Sequence, residues 1–85
     1  MARVVTVYAA PQCKLCRDAL EDLGLLAAEQ DLAIRVVDVT LDPALADRYL
    51  LLVPVVEIAG GAVLQPPISI RQLRSALEAA VSDTV

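Results

Sequence analysis

Cys13 and Cys16 are the only cysteines of the chain, three residues apart in Pro11-Gln12-Cys13-Lys14-Leu15-Cys16. Two thiols so spaced can carry out disulfide exchange. One of them, as thiolate, attacks a disulfide and forms a mixed disulfide; the other then resolves it. Residues i and i+3 of a helix are neighbours, so the spacing brings the second sulfur to the first. If Cys13 stands at the entrance to a helix, unpaired backbone N–H groups and the positive end of the helix dipole face its sulfur. Both favour the thiolate and lower its pKa below the free value of about 8.5. Lys14 and Arg17 add positive charge, which Asp18 partly offsets. Cys16, one turn further in, should be the more buried and less acidic thiol. Gln12 and Lys14, with Arg17, are candidates for substrate contact, although solvated side chains at such positions need no role.

Two other uses of the pair stay open. They could be two small buried hydrophobes, or metal ligands. Structural zinc takes four ligands, and the chain has no histidine, so a closed site needs two chains. Metal or iron–sulfur carriage by a dimer is therefore one alternative function. The lack of histidine also excludes Cys–His catalysis and Ser–His–Asp triads.

The chain that must position this pair has 85 residues, the length of one small domain, taken here as residues 1–85. Domains of this size are marginal unless the core is rich. Here 58% of the residues are hydrophobic, and Tyr8 and Tyr49 are the only aromatics, so aliphatic side chains must fill the core. The net charge of −4 and the absence of a basic run argue against nucleic acid as a partner. No apolar run approaches the roughly 18 residues of a membrane span, and the first residues enter a strand pattern without a signal-like segment. These features predict a cytoplasmic monomer, a compartment in which a CxxC pair is a redox or metal pair and not a structural framework.

Arg3-Val4-Val5-Thr6-Val7-Tyr8 is β-branched and nearly continuously apolar, as in a strand covered on both faces. Ala9 to Gln12 form a loop. From Cys13 the period becomes helical, with Cys16, Ala19, Leu20, Leu23 and Ala27 on one face and Gly24 as a weak point. Ile34 to Val39 form a second strand. Asp42 and Pro43 then provide an N-cap and a proline in the first helical turn, and that helix runs to about Leu51. Val53 to Ile58 form a third strand, Gly60-Gly61 a two-residue turn with positive φ angles, and Ala62 to Leu64 a fourth strand. Pro66-Pro67 ends the sheet. Ser69 and Gln72 form a capping box, with Ile68 and Leu73 at the staple positions, and Ile70, Leu73, Leu77, Ala80 and Val81 make the last apolar stripe. The order β-α-β-α-β-β-α predicts an α/β fold. Its first two strands are parallel, its last two antiparallel, and helices flank a four-stranded mixed sheet.

Val7-Tyr8-Ala9-Ala10-Pro11-Gln12-Cys13-Lys14-Leu15-Cys16 resembles the start of a glutaredoxin, in which a strand leads into P-x-C-x-x-C. Val53-Pro54 looks like the cis-proline segment of the thioredoxin superfamily. With Val37-Asp38-Val39, Asp42-Pro43 and Arg48-Tyr49, the chain resembles the small bacterial glutaredoxin-like proteins that carry a C-x-L-C pair. The resemblance implies a thioredoxin fold, a cis peptide before Pro54 placed opposite Cys13, and a Val53 backbone that pairs with an extended substrate. It also implies a thiol–disulfide oxidoreductase with Cys13 as nucleophile and Cys16 as resolving thiol. No organic cofactor is bound in such a protein. Its partner is a disulfide-containing protein or small molecule. The sequence departs from glutaredoxins in Lys14-Leu15 and in Leu64-Gln65-Pro66-Pro67-Ile68-Ser69, which stands where they carry the Gly-Gly and acidic residue that hold glutathione. The reductant is therefore glutathione or a reductase. A non-enzymatic binding module with a redox-sensitive disulfide is a further alternative function.

Overall fold

The computed structural model describes residues 3–80. Strand β1 (Arg3–Ala9) is followed by helix α1 (Lys14–Ala27), strand β2 (Leu32–Asp38), a single 3-10 turn (Val39–Leu41), helix α2 (Pro43–Tyr49), strands β3 (Val55–Ile58) and β4 (Val63–Leu64), and helix α3 (Ile70–Ala79). The sheet order is β2-β1-β3-β4. β1 runs parallel to β2 and antiparallel to β3, and β3 is antiparallel to β4. This is the mixed four-stranded sheet that the element order predicts.

β1 is central, and Val5, Thr6 and Val7 are all buried, which accounts for its continuous apolar character. Alternation assigns its side chains to two faces. Val5 and Val7, opposite Ile58 and Val56 of β3, join Leu23 and Leu26 of α1 and Leu73 and Leu77 of α3 in one core. Each fully buried side chain of this size contributes about 1.5–3 kcal/mol. The turn after α1 is also tied to α3 at the surface, where Arg74 pairs with both Glu29 carboxylate oxygens at 3.2 and 3.0 Å. The Arg3 guanidinium donates to the Leu77 carbonyl, which fastens the start of β1 to the end of α3.

Several boundaries differ from those the sequence predicts. In α1 the buried residue of the last turn is Leu26, and Ala27 is exposed, because the stripe drifts around the helix and the larger side chain takes the core. β2 begins at Leu32 because the parallel ladder starts at Arg3↔Leu32. It ends at Asp38, whose carboxylate accepts Thr40 N–H at 2.9 Å and so turns Val39 out of the strand. α2 stops at Tyr49 instead of Leu51; Leu50, Leu51 and Leu52 are exposed and have no apolar face to bury. β3 starts at Val55, since Pro54 has no N–H for the ladder.

The β3–β4 connection is also corrected. It spans four residues, and β4 is only Val63–Leu64. Gly60 alone has positive φ, at 75°. Gly61 N–H donates to the Ile58 carbonyl at 2.9 Å, which makes Gly60 the third residue of a type II turn. Gly61 is needed for space: a Cβ there would lie 2.9 Å from the Ala80 Cβ. The α3 capping box is present in both directions, with Gln72 N–H on Ser69 Oγ at 3.1 Å and Ser69 N–H on Gln72 Oε1 at 2.8 Å. Val81, the last residue of the predicted stripe, lies outside the described residues.

The two remaining glycines should answer alanine in opposite directions. Gly24 is helical and a Cβ there meets nothing within 4 Å, so Gly24→Ala should stabilise the fold by up to about 1 kcal/mol. Gly61→Ala should destabilise it, because backbone as well as side chain of Ala80 must move. Urea denaturation midpoints of the two variants check both signs.

Candidate functional site

α1 begins where β1 ends, and the handover sets the geometry of the cysteines. Pro11 brings a fixed φ. Gln12 follows in the left-handed region at φ 59°, a conformation that costs a non-glycine residue about 1–2 kcal/mol. Proline followed by positive φ is the pattern of a type II turn. Cys13 is then extended, at φ −108° and ψ 107°, and is the N-cap of α1. Its Sγ accepts the Cys16 N–H at 3.1 Å. Sulfur thus occupies a place that Ser, Thr, Asp or Asn oxygens usually fill.

The Cys13 and Cys16 Cα atoms are 5.2 Å apart and their sulfurs are joined in a disulfide. Cys16 is 3% exposed, whereas Cys13 is half-buried. The asymmetry between an accessible first thiol and a buried second one, predicted from the helical spacing, is therefore present in the geometry. In the reduced state, the N–H that caps with Cys13 Sγ would point at its thiolate.

A cleft of about 330 Å³ opens beside the pair. The β1–α1 turn, including Gln12, forms one end, α1 contributes Arg17 and Leu20, and β2 contributes Val36 and Asp38. Both cysteines line it. Lys14 does not; its ammonium group pairs with Asp18 at 3.0 Å, and its side chain is 77% exposed. The cleft residues of β2 were not picked out by the sequence reading. The signal that could have found them was the parallel pairing itself, which sets Ala9 against Asp38 and so places the end of β2 beside the cysteine turn. In open α/β sheets, ligands bind outside the carboxyl ends of such strands.

The other predicted site residues lie across β1. β3 starts opposite Tyr8, at Val55, so Val53 and Pro54 sit at the same end of the sheet as the cysteines but on the β3 side. The Val53–Pro54 peptide is cis. Pro54 is buried, Val53 is half-buried against the core, and neither lines the cleft. A second cis peptide, Pro66–Pro67, lies in the segment that departs from glutaredoxins. Among the described residues, no group of three or more His, Cys, Asp or Glu side chains is placed to hold a metal ion, and no helix is long and apolar enough to cross a membrane.

On the opposite face of β1 from the core, Tyr8 stacks on Tyr49 of α2, with ring centroids 4.4 Å apart and planes at 17°. Arg48 lies 5.3 Å from the Tyr49 ring centre. Burial, and then the negative charges of Glu57 and Tyr49, hold the Tyr8 phenol above the usual 10.

These features can be set beside known proteins. The model of the glutaredoxin-like domain family (DUF836) matches residues 4–78. The chain belongs to this family. A solved structure, the X-ray structure of Northeast Structural Genomics target protein XcR50 from X. campestris, is 35% identical to it. The match has a TM-score of 0.79 and covers 91% of this chain and 99% of that one. No curated protein matches. The glutaredoxin-like chain therefore has the thioredoxin-like fold that its sheet order and flanking helices describe. Family and cysteine pair together support thiol–disulfide redox function in general.

The Tyr8 environment carries a pH dependence. The folded state favours the neutral phenol, so this contribution to stability is complete below the unfolded pKa of about 10. It is lost as pH rises through the higher folded value. Denaturant midpoints should fall above pH ~10 more steeply for wild type than for Tyr8→Phe, and the wild-type minus Tyr8→Phe ultraviolet titration should have its midpoint above 10.

Proposed function

We propose that this glutaredoxin-like protein is a dithiol–disulfide oxidoreductase, with Cys13 as the nucleophile and Cys16 as the resolving thiol. The observation that carries the proposal is the Cys16 N–H on Cys13 Sγ at the start of α1. A donor fixed there stabilises negative charge on the sulfur that is also the accessible one. Such a thiolate is the reactive form for exchange.

The reduced Cys13 thiolate attacks one sulfur of a substrate disulfide, whose other sulfur leaves as a thiolate. Cys16 then gives up its proton and attacks Cys13 Sγ, and the second half of the substrate departs and takes up a proton. The substrate gains two electrons and the protein pair becomes the disulfide that the structure holds. Burial of Cys16 at 3% exposure favours this order of events, since a bulky disulfide reaches Cys13 first. Val53 precedes β3 and lies outside its ladder, which leaves its backbone for an extended substrate, with Pro54 behind it. Gln12 and Lys14 flank Cys13 in sequence, and in this reading they touch a bound chain. The substrate is a disulfide-bearing protein or small molecule, and the pair is restored by glutathione or by a reductase.

With dithiothreitol as donor, Cys13→Ser should reduce a protein disulfide no faster than buffer, while Cys16→Ser should accumulate mixed disulfides visible by mass. In Cys13→Ser the serine oxygen keeps a cap on α1, and Cys16→Ser leaves the Cys13 cap in place. Alkylation of the reduced wild type should titrate below the ordinary thiol value of about 8.5; a midpoint at or above it, with wild type no faster than Cys13→Ser, would leave only a passive binding module.

A further inference from the structure

We propose that the cleft on the β2 side of the dithiol is a subsite for one half of a small zwitterionic disulfide, an amino-acid disulfide of the cystine type. The proposal rests on the redox reading above and names its small-molecule substrate class.

The cleft is concave, is lined by both cysteines and holds about 330 Å³, the lower end of the range for small-molecule sites. That suits a group the size of one amino acid. It lies on the opposite side of β1 from Val53 and Pro54, so an extended peptide along β3 would leave it open. Its walls carry opposite charges on different elements, Arg17 from α1 and Asp38 from β2, and Leu20 and Val36 add apolar lining. The two cations of the cysteine segment are not equivalent. Lys14 is held by Asp18 at 3.0 Å, whereas Arg17 has no ion-pair partner among the described residues. Asp38 is fixed in place because one of its oxygens accepts both Thr40 N–H and Thr40 O–H, at 2.9 and 2.6 Å. Its second oxygen has no hydrogen bond among the described residues. Val36 is 57% exposed on an edge strand, so apolar surface is left to water unless something lies on it.

A carboxylate toward Arg17, an ammonium group toward Asp38 and a short methylene stem against Leu20 and Val36 describe an amino acid with a sulfur at its end. The reaction balances as before. Cys13 thiolate displaces one cysteine-type thiolate, and the other half stays in the cleft as a mixed disulfide. Cys16 then displaces it as the second thiol. Two electrons and the Cys16 proton pass to the small disulfide, which leaves as one thiolate and one thiol, and the protein pair is oxidised.

Single turnovers of pre-reduced protein, scored by mass, test this against four disulfides: cystine, dithiodipropionate with carboxylates only, cystamine with ammonium groups only, and neutral hydroxyethyl disulfide. For each, the ratio of wild-type to variant rate is the readout. The rate with hydroxyethyl disulfide reports whatever Arg17 does to the Cys13 thiolate itself; relative to that rate, Arg17→Gln should slow cystine and dithiodipropionate by a further three- to fivefold, about the worth of one exposed ion pair. Asp38→Asn should slow cystine and cystamine by the same factor. In a second measurement, S-methylcysteine, which cannot exchange, is titrated into oxidised wild type. Amide shifts at Leu20 and Val36 are expected. Equal effects of Arg17→Gln on all four disulfides, or shifts at Val53 and Val55 in place of Leu20 and Val36, would overturn the subsite. If wild type reacts with no disulfide faster than Cys13→Ser, the redox reading fails, and the titration still decides the cleft by itself.

Discussion

Helix α1 is capped by sulfur. The single contact between Cys16 N–H and Cys13 Sγ satisfies a backbone donor that would otherwise lack a helical partner, and it does so with the atom proposed to carry charge in exchange. Local structure and chemistry therefore depend on the same geometry. That geometry holds only if the start of α1 is pinned to the end of β1. Ala9 and Cys16, buried in the common core, hold that junction, and Leu23 and Leu26, fully buried in the same core as Val5, Val7, Leu73 and Leu77, hold the rest of the helix. The aliphatic core is small, but it fixes the direction of the one helix whose N-terminus matters.

The sheet gives this N-terminus two distinct flanks. With β1 central, β2 approaches it on one side and the segment before β3 on the other. On the β3 side the chain offers backbone, at Val53, next to a buried proline. On the β2 side it offers side chains of both charges around a small cavity. Backbone recognises any extended chain and is indifferent to sequence, whereas a charged cavity recognises a particular size and charge pattern. On the proposed reading, one dithiol between two such surfaces would accept substrates of unlike kinds without moving any element.

The order of elements was legible from the sequence because each one carries an unambiguous local signal. Continuous β-branched residues mark β1, Asp42-Pro43 marks α2, and Ser69 with Gln72 marks α3. The cysteine pair was legible for the same reason. What failed were boundaries decided by partners instead of propensity. Leu32 and Ala33 join β2 because β1 reaches that far back, and Tyr49 ends α2 as it stacks on Tyr8. Gly60-Gly61 was read as one signal, yet the first glycine serves a torsion angle and the second serves a close approach to Ala80. Tertiary contact, which periodicity does not encode, separates the two. The cis peptide at Pro54 followed from family resemblance, since isomer preference alone favours trans.

Gln12 has a consequence for how this site can vary. The turn from strand to helix is made in its backbone, at φ 59°, and its side chain takes no part in that turn. The position therefore tolerates almost any chemical character but not any shape. Glycine, asparagine and aspartate enter the left-handed region most easily, and β-branched residues scarcely at all. Beside the Cys13 sulfur, that filter excludes Val, Ile and Thr while admitting a neutral amide, an acid or no side chain. The residue that adjoins the proposed nucleophile is thus free to retune the local charge, one substitution at a time, without disturbing the geometry that holds the sulfur at the helix start.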